Sequence, residues 1–237
     1  MTDPKAWYIR SLFSKVPSQY DLLLALLTFG QDKNWRAQVV GKTRPKHNGG
    51  FALDVATGTG LLAGDLGQNV GCSGLVVGVD LTLSMLQTAK ARLREKGQES
   101  KTDWVLARAE NLPFRDGSFQ SSTISLALRN VSDASKTIEE MARTTTHGGT
   151  VVSLDFARPS NRLIRLVYYD YLLGVFPLIG RAVSEAWGTT LSYRGRAILR
   201  ARTGDQIVLL MNKAGLSSAT SVPLTMGIVC LVYGRKR

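Results

Sequence analysis

Phe51–Gly60 reads FALDVATGTG, and the rest of the chain is arranged around it. An apolar run ends in Asp54, and Gly58, Gly60 and Gly64 follow at short spacing. Further on, a second apolar run, Leu75–Val79, ends in Asp80. A buried strand, a tight glycine turn, the start of a helix and an acidic residue at the tip of the next strand form the layout of a Rossmann-type nucleotide site. Glycine suits the turn because it takes positive φ and lets backbone approach a ligand closely.

That layout serves dinucleotide enzymes and S-adenosylmethionine (SAM) methyltransferases alike. It also describes a plain strand–turn–helix. Three details favour SAM. The spacing is GxGxxxG rather than GxGxxG. Asp54 sits inside the strand end, where a carboxylate meets a ligand's amino group. Ala107–Phe114 (ARAENLPF) is a strand tip and loop placed where an adenine lies. In this reading Asp80 accepts from the ribose hydroxyls, Gly58 and Gly60 admit the methionine portion, and Asp54 faces its amino group. Ala56, Thr57, Leu81, Met85, Ala109, Glu110 and Leu126 on the same loops complete the expected cofactor set. Tyr20 and Arg36 are expected to close over it from the N-terminal segment; simple packing and surface exposure are their alternatives.

A chain of 237 residues, 44% hydrophobic, fits one α/β domain with a substantial core. Two cysteines, Cys72 and Cys230, give at most one disulfide. CxxC and HExxH spacings are absent and His47 and His147 stand alone, so no metal site is expected. His147 lies in a THGG turn read as a helix cap. Met1–Pro4 is polar and Lys5–Lys15 carries three charges, which does not read as a signal peptide. A cytoplasmic protein is the expectation. The formal net charge of +12 suits an anionic membrane face, nucleic acid or an anionic ligand, and solubility alone is a further reading.

From Phe51 onward, continuous apolar strands alternate with helices, which argues for a parallel sheet covered on both faces. The strands are read at Phe51–Ala56, Leu75–Asp80, Trp104–Ala107, Ser121–Leu128 and Thr150–Asp155. Helices fall between them, and two more strands, Ser217–Pro223 and Met226–Tyr233, form a terminal antiparallel hairpin. Asn161–Trp187 breaks the rhythm with the aromatic and aliphatic run LIRLVYYDYLLGVFPLIGRAV, in which Arg165, Asp170 and Arg181 argue against a membrane span.

The chain resembles the UbiE family of ubiquinone/menaquinone C-methyltransferases over nearly its whole length. SLFSKVPSQYDLLLALLTFGQDKNWR is similar to that family's entry segment, LDVATGTG to its SAM loop, VDLTLSML to its second-strand tip, and AENLPF and DGSF follow in order. SLALRNVSD and LDFARP with the later YDYLLGVFPLIG are the narrower signatures. Departures stand at Arg108, where many members place Asn or Asp, at Leu24 for Asn, at Asp155 for Glu, and in GRAILRAR after Tyr193. The resemblance implies a single class I SAM methyltransferase domain with a seven-stranded, mostly parallel sheet. A helical cap would occupy 1–48, the SAM-binding core 49–156, a lid after strand five 157–203, and the last helix and hairpin 204–237. It implies C-methylation of a prenylated hydroquinone.

For that chemistry the acceptor hydroxyl must be deprotonated or strongly hydrogen-bonded. Arg129 and Asn130 after strand four, and Asp155 at the end of strand five, are the candidate catalytic groups, because ligands in open α/β sheets bind beyond the carboxyl ends of strands. Structural roles, a loop-pinning salt bridge for Arg129 and a cap for Asp155, are their alternatives. Tyr168, Tyr171, Leu172, Phe176, Ile179 and Tyr193 are expected on the substrate, with the lid's Arg165 and Arg181 facing anionic lipid. An all-helical core or a homodimer interface are other readings of that segment. Another aromatic or polyprenyl acceptor, an RNA acceptor and a non-catalytic SAM-binding scaffold are the competing functions. Against nucleic acid, the aromatics are mixed with aliphatics and not set out as a basic stacking platform.

Overall fold

The computed structural model describes residues 3–14, 20–43 and 49–237, without the side chains of Tyr20, Leu23, Ala186 and Arg194. The expected helix break at Pro17 and the loop carrying His47 lie outside these residues. Three helices enter the fold: α1 (Pro4–Phe13), α2 (Tyr20–Leu27) and α3 (Gln31–Thr43). The core then alternates as β1 (Phe51–Val55), α4 (Leu61–Gly67), β2 (Leu75–Asp80), α5 (Leu83–Glu95), β3 (Thr102–Leu106), β4 (Phe119–Ser125), α6 (Ala134–Thr144) and β5 (Thr145–Phe156). After it come α7 (Arg162–Asp170), a π turn (Tyr171–Val175), α8 (Phe176–Val183), α9 (Glu185–Leu199), α10 (Gly204–Lys213), β6 (Leu216–Leu224) and β7 (Val229–Lys236).

The seven strands form one sheet in the order β3-β2-β1-β4-β5-β7-β6. The first five pair in parallel, and β7 inserts antiparallel between β5 and β6. The expected α/β architecture with a terminal hairpin is therefore present. The side-chain alternation of strands sorts the core into two layers. Ala52, Val152, Leu154, Phe156, Val229 and Leu231 face α3, α4 and the α7–α9 segment. Leu53, Val55, Val151, Cys230 and Val232 face α6 and α10. The strand order reverses between β1 and β4, and at such a switch point the diverging loops leave a crevice for a ligand.

Four local readings change. Strand β4 stops at Ser125 rather than Leu128, because Leu126 turns to φ 54° and leaves the ladder. His147 does not cap a helix: α6 ends at Thr144, β5 begins at Thr145, and the His147 ring meets the main-chain oxygen of Arg237. Cys72 is exposed and Cys230 buried, both as free thiols. Finally, the charges in Arg162–Val183 do not exclude it as a span: by length and composition it is one helix able to cross a bilayer. In this fold it lies on the domain through Tyr168, Leu172, Phe176 and Gly180, spaced four apart along one stripe. A Cβ at Gly180 would come within 2.7 Å of the Trp187 carbonyl oxygen, so glycine sets the close crossing of α8 and α9.

Candidate active site

A cavity of about 160 Å³ opens at the carboxyl ends of β1, β2 and β4. Its floor is the turn after β1, with Ala56, Thr57 and Gly58. The Asp80 carboxylate binds that turn to the next one, accepting from the Gly58 amide at 2.9 Å and the Thr82 amide at 2.8 Å. Burial pushes the Asp80 carboxyl upward, against those same amide hydrogen bonds. Leu81, Met85, Ala109 and Glu110 line one side of the cavity, and Leu126 and Asn130 the other. Ala56 and Leu126, each at φ 54° on a strand end, both line it; such conformations are uncommon for non-glycine residues and collect at functional sites.

Two expected cofactor residues sit beneath this floor rather than on it. Asp54 is 1% exposed and accepts from the Thr57 hydroxyl at 2.6 Å and the Thr123 hydroxyl at 2.8 Å. Gly60, at φ 75°, caps α4; a Cβ there would meet Ala89 at 2.8 Å and Trp104 at 2.9 Å, so it closes α4 onto its neighbours. Arg36 does line the cavity, held between Asp32 at 2.5 Å and Asp65 at 2.7 Å. Tyr20 begins α2, and its side chain is outside the described set.

A cover from the N-terminal segment was expected, but not through the residues that form it. Ala6, Ile9 and Phe13 of α1 line the cavity, as does Asp21, which accepts from Thr59 at 2.6 Å and pairs with Arg92. Helix α1 is tied down by Arg108 to Asp3 at 2.7 Å, and Lys5 donates to the Val131 carbonyl at the opposite rim. The departure at Arg108 thus has a structural partner. A hydrogen bond from Ser132, followed by the pairing with Arg108, holds the Asp3 carboxyl well below the usual range. Glu110 is engaged as well, pairing with Arg108 at 3.3 Å and accepting from the Ser132 amide at 2.7 Å.

Of the three candidate catalytic residues, only Asn130 lines the cofactor cavity. Arg129 and Asp155 form a buried ion pair, both side chains 3% exposed. The Asp155 carboxylate also accepts from the Arg129 amide at 2.9 Å and the Phe156 amide at 2.8 Å. It is fully occupied and does not reach either cavity as a free base. The Arg129 Nη1 donates again to the Leu126 carbonyl at 2.6 Å. The pair therefore pins the left-handed turn after β4 to the end of β5.

A second cavity, about 130 Å³, lies between α2, α7–α9 and Phe156. Tyr168, Tyr171, Leu172 and Phe176, four of the residues expected on the substrate, line it, joined by Leu27, Phe29, Trp35, Trp187 and Ile198. Ile179 packs instead against the neighbouring core. Tyr193 stacks edge-on with Tyr8 at 5.4 Å and belongs to the small cluster around Phe13 and Met85. Leu24, noted only as a departure, lines both cavities. The first cavity is polar-floored with acidic groups; the second is almost wholly apolar. Leu24 stands in the wall they share.

These residues fit SAM: Asp21 and Asp80 offer negative charge to a cationic ligand, and Leu81 and Met85 offer an apolar wall to a base. Residues 1–236 match the ubiE/COQ5 methyltransferase family. The ubiquinone/menaquinone biosynthesis C-methyltransferase UbiE of Geobacter sp. (strain M21) is 33% identical over 228 residues, 96% of each chain. Its namesake in Francisella philomiragia is 34% identical over 228 residues, 96% of this chain and 90% of its own. Among solved structures, a SAM-dependent methyltransferase from Aquifex aeolicus aligns at TM-score 0.60 and 16% identity, over 84% of this chain and 88% of its own. A SAM-dependent methyltransferase of Thermotoga maritima, a possible histamine N-methyltransferase, aligns at 0.66 and 18% identity, over 96% and 99%. The chain belongs to the ubiE/COQ5 methyltransferase family and is a SAM-dependent methyltransferase.

Proposed function

We propose that the enzyme methylates a ring carbon of a prenylated hydroquinone, a step of quinone biosynthesis. The observation that carries this reading is the apolar second cavity sharing Leu24 with the cofactor cavity. SAM, when bound, supplies a methyl group on a sulfonium centre. The Asp80 carboxylate would hold its ribose, Gly58 and Thr57 would lie along its methionine part, and α1 would exclude water from above. Asn130, in the wall of the cofactor cavity, would orient the acceptor. In the balance of the reaction a carbon–carbon bond forms, the carbon–sulfur bond breaks, and the ring carbon gives up its proton.

The working division of the chain is a cap over 1–48, a core over 49–156, a lid over 157–203 and a closing helix and hairpin over 204–237. Incubation with labelled SAM and a short-tailed demethylmenaquinol kept reduced by dithionite is expected to place label on ring carbon. Cofactor binding without label on this or a benzoquinol acceptor would overturn the acceptor assignment and leave the family assignment standing.

The reading includes contact with the cytoplasmic face of an anionic membrane, where such an acceptor resides. Leu163, Leu166, Val167, Leu173 and Leu178 of the lid are exposed, and so are Leu22, Leu26 and Phe29 of α2. The Phe29 ring lies 6.4 Å from Tyr171, which joins these two patches at the mouth of the apolar cavity. Basic side chains near an anionic surface add about 1 kcal/mol each. Flotation with anionic vesicles should recover the protein at low salt and lose it after Leu163, Leu166 and Leu178 are all replaced by Ser. Recovery of neither protein would remove the membrane contact, and equal recovery of both would remove the lid leucines from it and leave the charge alone to account for binding.

A further inference from the structure

Tyr168 in the wall of one cavity, Asn130 in the wall of the other and Arg129, which lines neither, carry buried polar atoms with no hydrogen-bond partner. Tyr168 is 8% exposed and its ring lines the apolar cavity, yet its hydroxyl is unpartnered. Arg129 spends Nη1 on Asp155 and the Leu126 carbonyl, which leaves Nε and Nη2 buried and unpartnered. The guanidinium carbon stands 5.0 Å from the centre of the Phe156 ring, and Phe156 lines the same cavity as Tyr168. Next along the chain, the Asn130 Oδ1 is also buried without a partner, and Asn130 lines the cofactor cavity. Buried polar groups are nearly always satisfied, so a cluster of orphans at one place asks for a ligand.

The chemistry of the orphans narrows that ligand. Arg129 offers two N–H donors and no acceptor, and the Tyr168 hydroxyl, near enough for the Arg129 charge to act on it, adds a third donor. Such a set suits an oxygen that carries negative charge. A prenyl tail has no such atom, whereas a hydroquinone has one at each end of its ring. We propose that the Tyr168 hydroxyl, together with the free Nε and Nη2 edge of Arg129, binds a ring oxygen of the acceptor and so fixes which ring carbon faces the methyl group. This rests on the quinol reading above and changes the role expected for Tyr168, from tail contact to ring anchor. Burial raises the Tyr168 hydroxyl far above its ordinary pKa, so it stays protonated and donates; it is not the base.

Tyr168→Phe keeps the ring that packs against the core and removes one oxygen. SAM affinity and the melting temperature are expected to stay at wild-type values, while kcat/KM on the short-tailed quinol falls at least tenfold. A role in packing alone gives the same loss on every acceptor, so the second arm uses the two monomethyl ethers of the quinol. Wild type should lose at least tenfold on one ether, and Tyr168→Phe should be indifferent to that cap. Wild-type kcat/KM in the variant, or an equal penalty from the cap in both proteins, overturns the proposal. Direct binding of the same quinol in the presence of S-adenosylhomocysteine separates it from the reading beneath it. No binding by wild type removes the quinol reading and the anchor together; equal binding by both proteins removes the anchor alone.

Discussion

Asp155→Ala is expected to destabilise the protein by about 4–5 kcal/mol, and Arg129→Met by about 3 kcal/mol, in urea unfolding at neutral pH. The order follows from what each change strands. Without Asp155, a guanidinium at 3% exposure keeps only the Leu126 carbonyl, and the Arg129 and Phe156 amides lose their acceptors. Without the guanidinium, Asp155 still holds those two amide hydrogen bonds, which spread its charge. The double change Arg129→Met with Asp155→Asn should recover part of the loss, since no unpaired charge is then buried and Asn keeps an acceptor oxygen. Activity should not recover with it, because the Nε and Nη2 edge is gone. Equal losses for the two single variants would show that the amide hydrogen bonds are not what sets the cost. The pair also affects how an Arg129 variant is read: lost turnover says something about chemistry only once the variant is shown to be folded.

The elements that were legible in the sequence are those whose signal is local. The glycine turn, the acidic tips of β1 and β2 and the apolar strands all declare themselves within a few residues. The sheet and the cofactor floor follow from them. What stayed hidden depends on residues far apart in the chain. Arg129 read as a catalytic group or a loop-pinning salt bridge, and Asp155 as a base or a cap, with neither legible as the other's partner. Only the parallel pairing of β4 with β5 turns them into one neutralised unit. Arg108 read as a misplaced charge because Asp3 is 105 residues away. Tyr168 and Ile179 belong to one apolar run, and the helical phase through the π turn decides that Tyr168 faces the cavity while Ile179 packs beside it. The THGG stretch misled because its glycines suit a helix end equally well, whereas here Gly148, at φ 74°, lies inside the strand.

Asp54→Asn is expected to make the protein more stable at neutral pH and poorer at holding SAM. Burial pushes the Asp54 carboxyl up to about 6 from an ordinary 3.8, the Thr57 and Thr123 hydrogen bonds only partly opposing it, and the Asp80 charge adding to the rise. Between about pH 4 and 6 the folded protein therefore holds a proton that the unfolded chain has lost. Stability contributed by that proton is complete below the lower value and disappears as pH climbs through the upper one. At pH 7 the ionised carboxylate then costs about 3 kcal/mol. Asparagine removes that cost without stranding a group. Its oxygen accepts from Thr57, and its amide donates to the Thr123 hydroxyl, which turns its own proton to the Leu53 carbonyl 3.1 Å away. Melting curves should show a gain on the order of 5 °C at pH 7 that vanishes near pH 4, with a flatter profile between. The carboxylate persists in the native sequence despite this cost because it lies under a cavity for a cation, flanked by Asp21 and Asp80 on the floor and wall. Titration calorimetry at pH 7 should accordingly find SAM bound about tenfold more weakly by the variant, a coupling of about 1.4 kcal/mol through the Thr57 turn. A variant with the wild-type pH profile would mean that folding does not raise the Asp54 carboxyl above its ordinary value. Unchanged SAM affinity beside a gain in stability would mean that its charge does not act on the ligand.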